Sequence, residues 1–241
     1  RWHAPEEVTF IDKQGEIYRQ YLDANQNNRL ADFFKYNSAV LVSQKIELSF
    51  TGERFLPHVS GDIAYEHLHR YAFASDFVSG KVVLDIASGE GYGSSLLAKN
   101  AKKVIGVDLS EEAIKHAKSK YGSQGNLEFR LGSCVNIPCE SGTFDVVVSF
   151  ETIEHHAEHE KMLDEIRRVL KPDGLLIISS PNKKTYTDDS GVKNEFHVKE
   201  LYLKEFHDLL SKGFKFINIL GQRLTFSSLM WPLEKNSLKG A

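Results

Sequence analysis

Two acids and a run of glycines stand where a nucleoside could be held. Asp85 lies in Leu84-Asp85-Ile86-Ala87-Ser88-Gly89-Glu90-Gly91-Tyr92-Gly93, and Asp108 closes the apolar run Val104-Ile105-Gly106-Val107-Asp108. Glycines let backbone approach a ligand closely, and the N–H groups of a helix start face it. A dinucleotide fingerprint needs G-x-G-x-x-G, and Ser94 stands where the third glycine would fall. At the end of a strand, Asp85 would oppose a pyrophosphate but favour an ammonium group. Asp108, at the end of the next strand, can accept bonds from both hydroxyls of a ribose. Together the two acids ask for a phosphate-free nucleoside with an amino-acid tail, which describes S-adenosylmethionine.

A second set of residues could move a proton. His155 follows the apolar run 144–150, with Glu151 and Glu154 beside it, and His197 sits in Asn194-Glu195-Phe196-His197-Val198 after a polar loop at 183–193. Methyl transfer from a sulfonium needs positioning above all, and a base only where the acceptor keeps its proton. Histidine is the usual base near neutral pH. The plain alternative for each ring is a capping or loop residue at a helix start. His156 and His159 could with Glu154 make a metal cluster, but solvated histidines in a charged turn are the expectation, and no metal ligand set is assigned.

These residues must be placed by regular elements. Apolar runs at 82–87, 104–108, 127–131, 144–150 and 174–180 read as buried strands, with helices at about 92–100, 111–121 and 157–170 between them. Ser110 is a good N-cap, followed by Glu111 and Glu112 in the first turn. Pro172-Asp173-Gly174 reads as a turn, a helix is expected at 199–212, and strands at 214–220 and after Arg223. Alternation of this kind means an α/β fold, a doubly wound and mostly parallel sheet with the ligand at the carboxyl ends of its strands. The apolar positions Ile63, Tyr65, Leu68, Tyr71, Ala72 and Phe77 predict an amphipathic helix before the first of these strands. Residues 1–50, rich in Gln, Asn and aromatics, read as a helical N-terminal extension serving as lid, linker or interface, and 51–241 as the cofactor domain.

Composition narrows the class. Among 241 residues, 41% are hydrophobic and 26% charged, the balance of an ordinary globular protein. The net charge of −3 lacks the basic face of a nucleic-acid binder. Cys134 and Cys139 fit a reducing compartment rather than a disulfide scaffold, so a cytoplasmic location is expected, with contact at the inner membrane face a further option. No apolar run approaches the roughly 20 residues of a membrane span. The start at Arg1 rather than methionine reads as one piece of a longer polypeptide.

The chain resembles the class I S-adenosylmethionine-dependent methyltransferases, the small-molecule group with a seven-stranded Rossmann-like sheet, over about residues 60–222. The 84–93 segment is similar to the family's first motif, which implies cofactor contacts from Asp85, Ala87, Ser88, Gly89, Gly91, Tyr92 and Gly93. Gly106–Ser110 is similar to the second motif, implicating Asp108 and Leu109. Leu131-Gly132-Ser133-Cys134 resembles the segment bordering the adenine, through Ser133 and Cys134, although the family often carries Asp at the serine position. Phe144–His155 resembles the strand that leads into the active site, implicating Phe150 and Glu151 at the cofactor and His155, Glu154 and, further on, His197 in catalysis. Helices before the first strand often cap the cofactor in this fold, so Tyr65 or Tyr71 is expected to touch it. Thr51–Pro57 and Tyr65–Tyr71 resemble a lead-in found in bacterial methyltransferases of surface-glycan assembly. The acceptor implied is a small polar molecule, a sugar hydroxyl of a glycan or its precursor, with another metabolite methylated at O or N as the nearest alternative. Two rivals from other classes are an NAD-dependent oxidoreductase, which Asp85 and the missing third glycine oppose, and a non-catalytic cofactor-binding module of a larger glycan-assembly protein.

Overall fold

The computed structural model describes residues 6–11 and 62–223. The elements are strand β1 (Glu6–Ile11), helix α1 (Asp62–Ser75), β2 (Val82–Ile86), α2 (Tyr92–Ala98), β3 (Lys103–Asp108), α3 (Glu111–Tyr121) and β4 (Leu127–Leu131). Then follow β5 (Phe144–Ser149), a 3-10 turn (Ile153–His155), α4 (His159–Val169), β6 (Leu170–Ser180), a π-helical turn (Lys184–Asp188), α5 (Leu203–Ser211) and β7 (Ile217–Gln222).

The strands form one sheet in the order β4-β3-β2-β5-β6-β1-β7. The five strands from β4 to β6 are paired parallel, and β1 lies antiparallel to both β6 and β7. The parallel array is thus five strands rather than the whole sheet. Val8, Thr9, Phe10 and Ile11 are β-formers, and Glu6–Ile11 extends the sheet where a helical extension was expected. The rest of 1–50, and the strand expected after Arg223, lie outside the described residues. Pro172-Asp173-Gly174 is not a separate turn. It forms an irregularity within β6, where the pairing register to β5 shifts between Phe144 and Val146.

Strand residues alternate between two apolar layers. Val83, Val104, Val146, Val148 and Ile177 pack with α1, α2 and α3 on one face. Leu84, Ile105, Val107, Val147 and Leu176 pack with α4 and α5 on the other. The period of two puts Asp85 on the α1–α2 face of a strand whose other members are apolar, where it is fully buried. Ser110 caps α3 as expected, its hydroxyl accepting from Ala113 N at 3.2 Å. Strand order reverses direction between β2 and β5, which opens a crevice at their carboxyl ends.

Candidate active site

A cavity of about 720 Å³ occupies that crevice. The loop after β2 lends it Ala87, Ser88, Gly89 and Tyr92; the end of β3 lends Asp108, Leu109 and Ser110; the segment after β4 lends Gly132, Ser133, Cys134 and Val135. The stretch after β5 contributes Phe150, Glu151, Thr152, Glu154, His155, His156 and Glu158, α1 contributes Ile63, His67 and Tyr71, and Tyr186, Asn194 and His197 close the far side.

The backbone of the site is strained where it meets the cavity. Among the described residues the non-glycine positions with positive φ are Ala87 at 58° and Glu151 at 48°, and both line it. Each such residue costs about 1–3 kcal/mol, and strain of this sort gathers where geometry serves a ligand. Gly89 (φ 56°) turns its N–H onto Asp108 Oδ2 at 2.8 Å, while Ser110 N donates to Asp108 Oδ1 at 2.8 Å. Two backbone donors, one on each oxygen, therefore orient the carboxylate at the cavity wall.

Asp85 behaves differently from its expected role. It does not line the cavity but sits sealed behind it, accepting from Ser94 Oγ at 2.6 Å and from Tyr71 Oη at 3.2 Å and 3.3 Å. Burial pushes its carboxyl up to about 7 against the opposing effect of those two hydroxyls. Asp85 thus ties α1 and α2 to β2 and sets the position of Tyr71, whose ring does face the cavity. Gly91 and Gly93 are also withdrawn from the cavity. A Cβ on Gly93 would lie 2.0 Å from Tyr71 Cζ, and one on Gly91 2.7 Å from Phe129 Cζ, so these glycines serve helix packing. Glu90 is buried and accepts from Tyr121 Oη at 3.0 Å and His116 Nε2 at 2.9 Å, fastening the loop to α3. Tyr65 projects to solvent, 59% exposed, and does not line the cavity. It lies six positions before Tyr71, which turns the two to different faces of α1.

Tyr71, Tyr92 and Phe150 form an aromatic wall, with Tyr71 edge-on to Tyr92 at 5.3 Å and to Phe150 at 5.1 Å. Beyond it the lining turns polar. Burial alone would push the Glu151 carboxyl up, but the Arg70 guanidinium at 3.8 Å and the Ser179 hydroxyl at 2.5 Å outweigh it, holding Glu151 below the ordinary carboxylate value. Glu154 is moved the other way, well above its ordinary value, by burial and the nearby charge of Glu151.

The two histidines meet edge-to-face at 5.1 Å. His155 Nδ1 lies 3.1 Å from the Phe196 carbonyl oxygen, which can only accept, so that nitrogen carries the proton and the lone pair of the neutral ring is on Nε2. His197 Nδ1 faces Glu200 Oε1 at 2.6 Å and its Nε2 faces Asn194 Nδ2 at 3.1 Å. The sequence pointed to His155, His197 and Glu154 and did not connect Tyr186, Asn194 or His67 to them. The polar loop before Asn194 was the available signal, and its folding back beside β5 depends on the bonds of Val198 N and Lys199 N to the Glu154 carbonyl, at 2.9 Å and 3.0 Å. Among the described residues, those closest to a metal ligand set are Glu154, His155 and His197 rather than the His156–His159 grouping.

Residues 84–178 match the methyltransferase domain family model. A protein of Mycolicibacterium smegmatis, named as a probable S-adenosylmethionine-dependent methyltransferase, is 33% identical over 178 residues, covering 72% of this chain and 68% of that one. The chain belongs to the S-adenosylmethionine-dependent methyltransferases. The methyltransferase is also 31% identical over 137 residues to the ubiquinone biosynthesis O-methyltransferase of Psychrobacter arcticus, covering 54% of this chain and 52% of that one. In fold it is similar to the YcgJ protein of Bacillus subtilis (TM-score 0.54, 23% identity, 60% of this chain and 67% of that one). It is similar also to the [4+2]-cyclase SpnF (TM-score 0.52, 20% identity, 65% of this chain and 60% of that one). The shared fold therefore does not choose the reaction, and the acceptor must be argued from the site. Family membership makes the methyltransferase an enzyme that uses S-adenosylmethionine, and its residues fit that group. Asp108 presents two oriented acceptors, the aromatic wall suits a sulfonium, and Ser133 and Cys134 border the space beyond Asp108. No helix among the described residues is long and apolar enough to cross a membrane.

Proposed function

We propose that the methyltransferase transfers the methyl group to a hydroxyl oxygen of a small polar acceptor, a sugar hydroxyl of a glycan or glycan precursor. The observation that carries this reading is the fixed tautomer of His155, whose lone pair belongs to Nε2 in a cavity end lined by Glu151, Glu154, Asn194 and His197. A hydroxyl keeps its proton at neutral pH and so needs a base, and a lining of acids, an amide and imidazoles suits a polyol better than an apolar ring. In this reading Asp108 holds the ribose hydroxyls, and the ionised Glu151 supplies negative charge for the cationic amino-acid tail. The acceptor oxygen attacks the methyl carbon, the carbon–sulfur bond breaks with its electron pair left on sulfur, and the hydroxyl proton passes to His155 Nε2. His197, braced by Glu200, and Glu154 orient the acceptor and the ring.

A phenolic hydroxyl of a quinone precursor is the second reading, favoured by similarity to the ubiquinone biosynthesis O-methyltransferase. The two separate in a rate comparison with labelled S-adenosylmethionine, supplying nucleotide-linked sugars or oligosaccharides in one arm and hydroxylated benzoquinols in the other. Label on a sugar oxygen supports the proposal. Label on the quinol alone overturns the sugar assignment.

A further inference from the structure

Glu154, His155 and His197 each offer one potential ligand atom, and these atoms all lie within 4.8 Å of one another. Three features of this cluster fit a cation rather than a chance encounter. First, Glu154 is only 1% exposed, and neither of its carboxylate oxygens has a hydrogen-bond partner among the described residues. Ionising a carboxyl so buried and without donors costs several kcal/mol, so the charged form needs a cation to compensate it. Second, both rings have Nδ1 committed elsewhere, His155 to the Phe196 carbonyl and His197 to the Glu200 carboxylate. Metal-bound histidines are oriented in this manner, with the far nitrogen on a carbonyl or carboxylate and the near one turned to the ion. Third, the Asn194 amide nitrogen 3.1 Å from His197 Nε2 is a donor, so that Nε2 offers a lone pair and not a proton.

We propose that Glu154, His155 and His197 bind a divalent transition-metal cation, of the Mn²⁺, Fe²⁺ or Zn²⁺ class, at the acceptor end of the cavity. Two imidazoles and one carboxylate suit these ions and leave coordination positions open. Binding exchanges the Asn194 amide on His197 Nε2 for the ion and gives the Glu154 carboxylate its missing partner. The inference deepens the hydroxyl-acceptor reading and rests on it for the ion's use. The acceptor hydroxyl would coordinate an open position, become more acidic and lose its proton to water, before its oxygen attacks the methyl carbon and sulfur keeps the carbon–sulfur pair. In the metal-bound form His155 Nε2 holds the ion that activates the hydroxyl, and the direct base role given to it above belongs to the metal-free form.

The test is Mn²⁺ titration of chelator-treated protein, followed by electron paramagnetic resonance, with S-adenosylhomocysteine binding measured on the same samples. One saturable equivalent showing imidazole-nitrogen couplings is expected. Glu154→Gln and His197→Gln should each weaken Mn²⁺ by about tenfold or more while S-adenosylhomocysteine still binds. Absence of saturable binding, a bound ion without nitrogen couplings, or unchanged affinity in both variants overturns the site. A variant that fails to bind S-adenosylhomocysteine is set aside as misfolded, and the wild-type spectrum then decides. Loss of the metal site with sugar O-methylation intact leaves His155 as the base, whereas a bound ion without sugar methylation removes the acceptor assignment alone.

Discussion

Asp108 accepts from Gly89 N and Ser110 N, one donor on each oxygen, and this held orientation is what suits it to the ribose role proposed for it. Asp108→Ala should remove both ligand bonds and loosen the loop, weakening S-adenosylmethionine by about 1–3 kcal/mol in calorimetry. Unchanged affinity would refute the ribose assignment. His155 is the residue proposed to serve the acceptor. His155→Ala should lower the transfer rate by about 10²-fold or more with cofactor affinity retained, and single-turnover rates beside a binding isotherm separate the two effects. If only His197→Ala gives that result, the imidazole braced by Glu200 is the active one. The place of Asp108 at the cavity was legible in sequence because an acid that closes an apolar strand falls at the carboxyl end of the sheet. That of Asp85 was not, since whether a buried acid faces a ligand or a neighbouring hydroxyl depends on where α1 puts Tyr71.

At the scale of elements, the glycine loop divides its labour. Gly89 turns the chain toward Asp108, whereas Gly93 lets α2 lie against the Tyr71 ring of α1. Gly93→Ala would drive a methyl into that ring, and overpacking of this kind costs about 1–3 kcal/mol. A lowered melting temperature with a parallel fall in cofactor affinity is expected, since Tyr71 lines the cavity. Unaltered melting would mean that α1 yields freely. The strands, the α3 cap and the loop position follow from apolar runs and capping chemistry, and those local signals survive folding. The bulged start of β6 does not, because Pro172-Asp173-Gly174 looks the same as a turn until β5 pairs with the residues on either side. The contribution of Asn194 and Tyr186 to the site was equally invisible, for it depends on a loop returning to β5 across the sheet edge.

For the molecule as a whole, the buried Asp85 makes stability depend on pH in an unusual direction. Its folded value of about 7 stands above the ordinary 3.8, so the native state holds the proton that the unfolded chain releases between those values. Its contribution is fully present below the lower value and is lost as pH rises through the upper one, at no more than about 1.4 kcal/mol per pH unit. Asp85→Asn should flatten that part of the stability profile in denaturant melts of the cofactor-free protein, and an unchanged slope would show that another group carries it. The five parallel strands, with β1 set antiparallel beside β6, provide the rigid frame from which Asp108 and His155 line one cavity, the first proposed to hold the ribose and the second to serve the acceptor. The most direct test of that division is to incubate the protein with isotopically labelled S-adenosylmethionine and a pool of glycan precursors, then locate the label by tandem mass spectrometry. Labelled methyl on a sugar oxygen, abolished in His155→Ala, is the expected result. Label on nitrogen or carbon, or O-methylation undiminished in that variant, would contradict it.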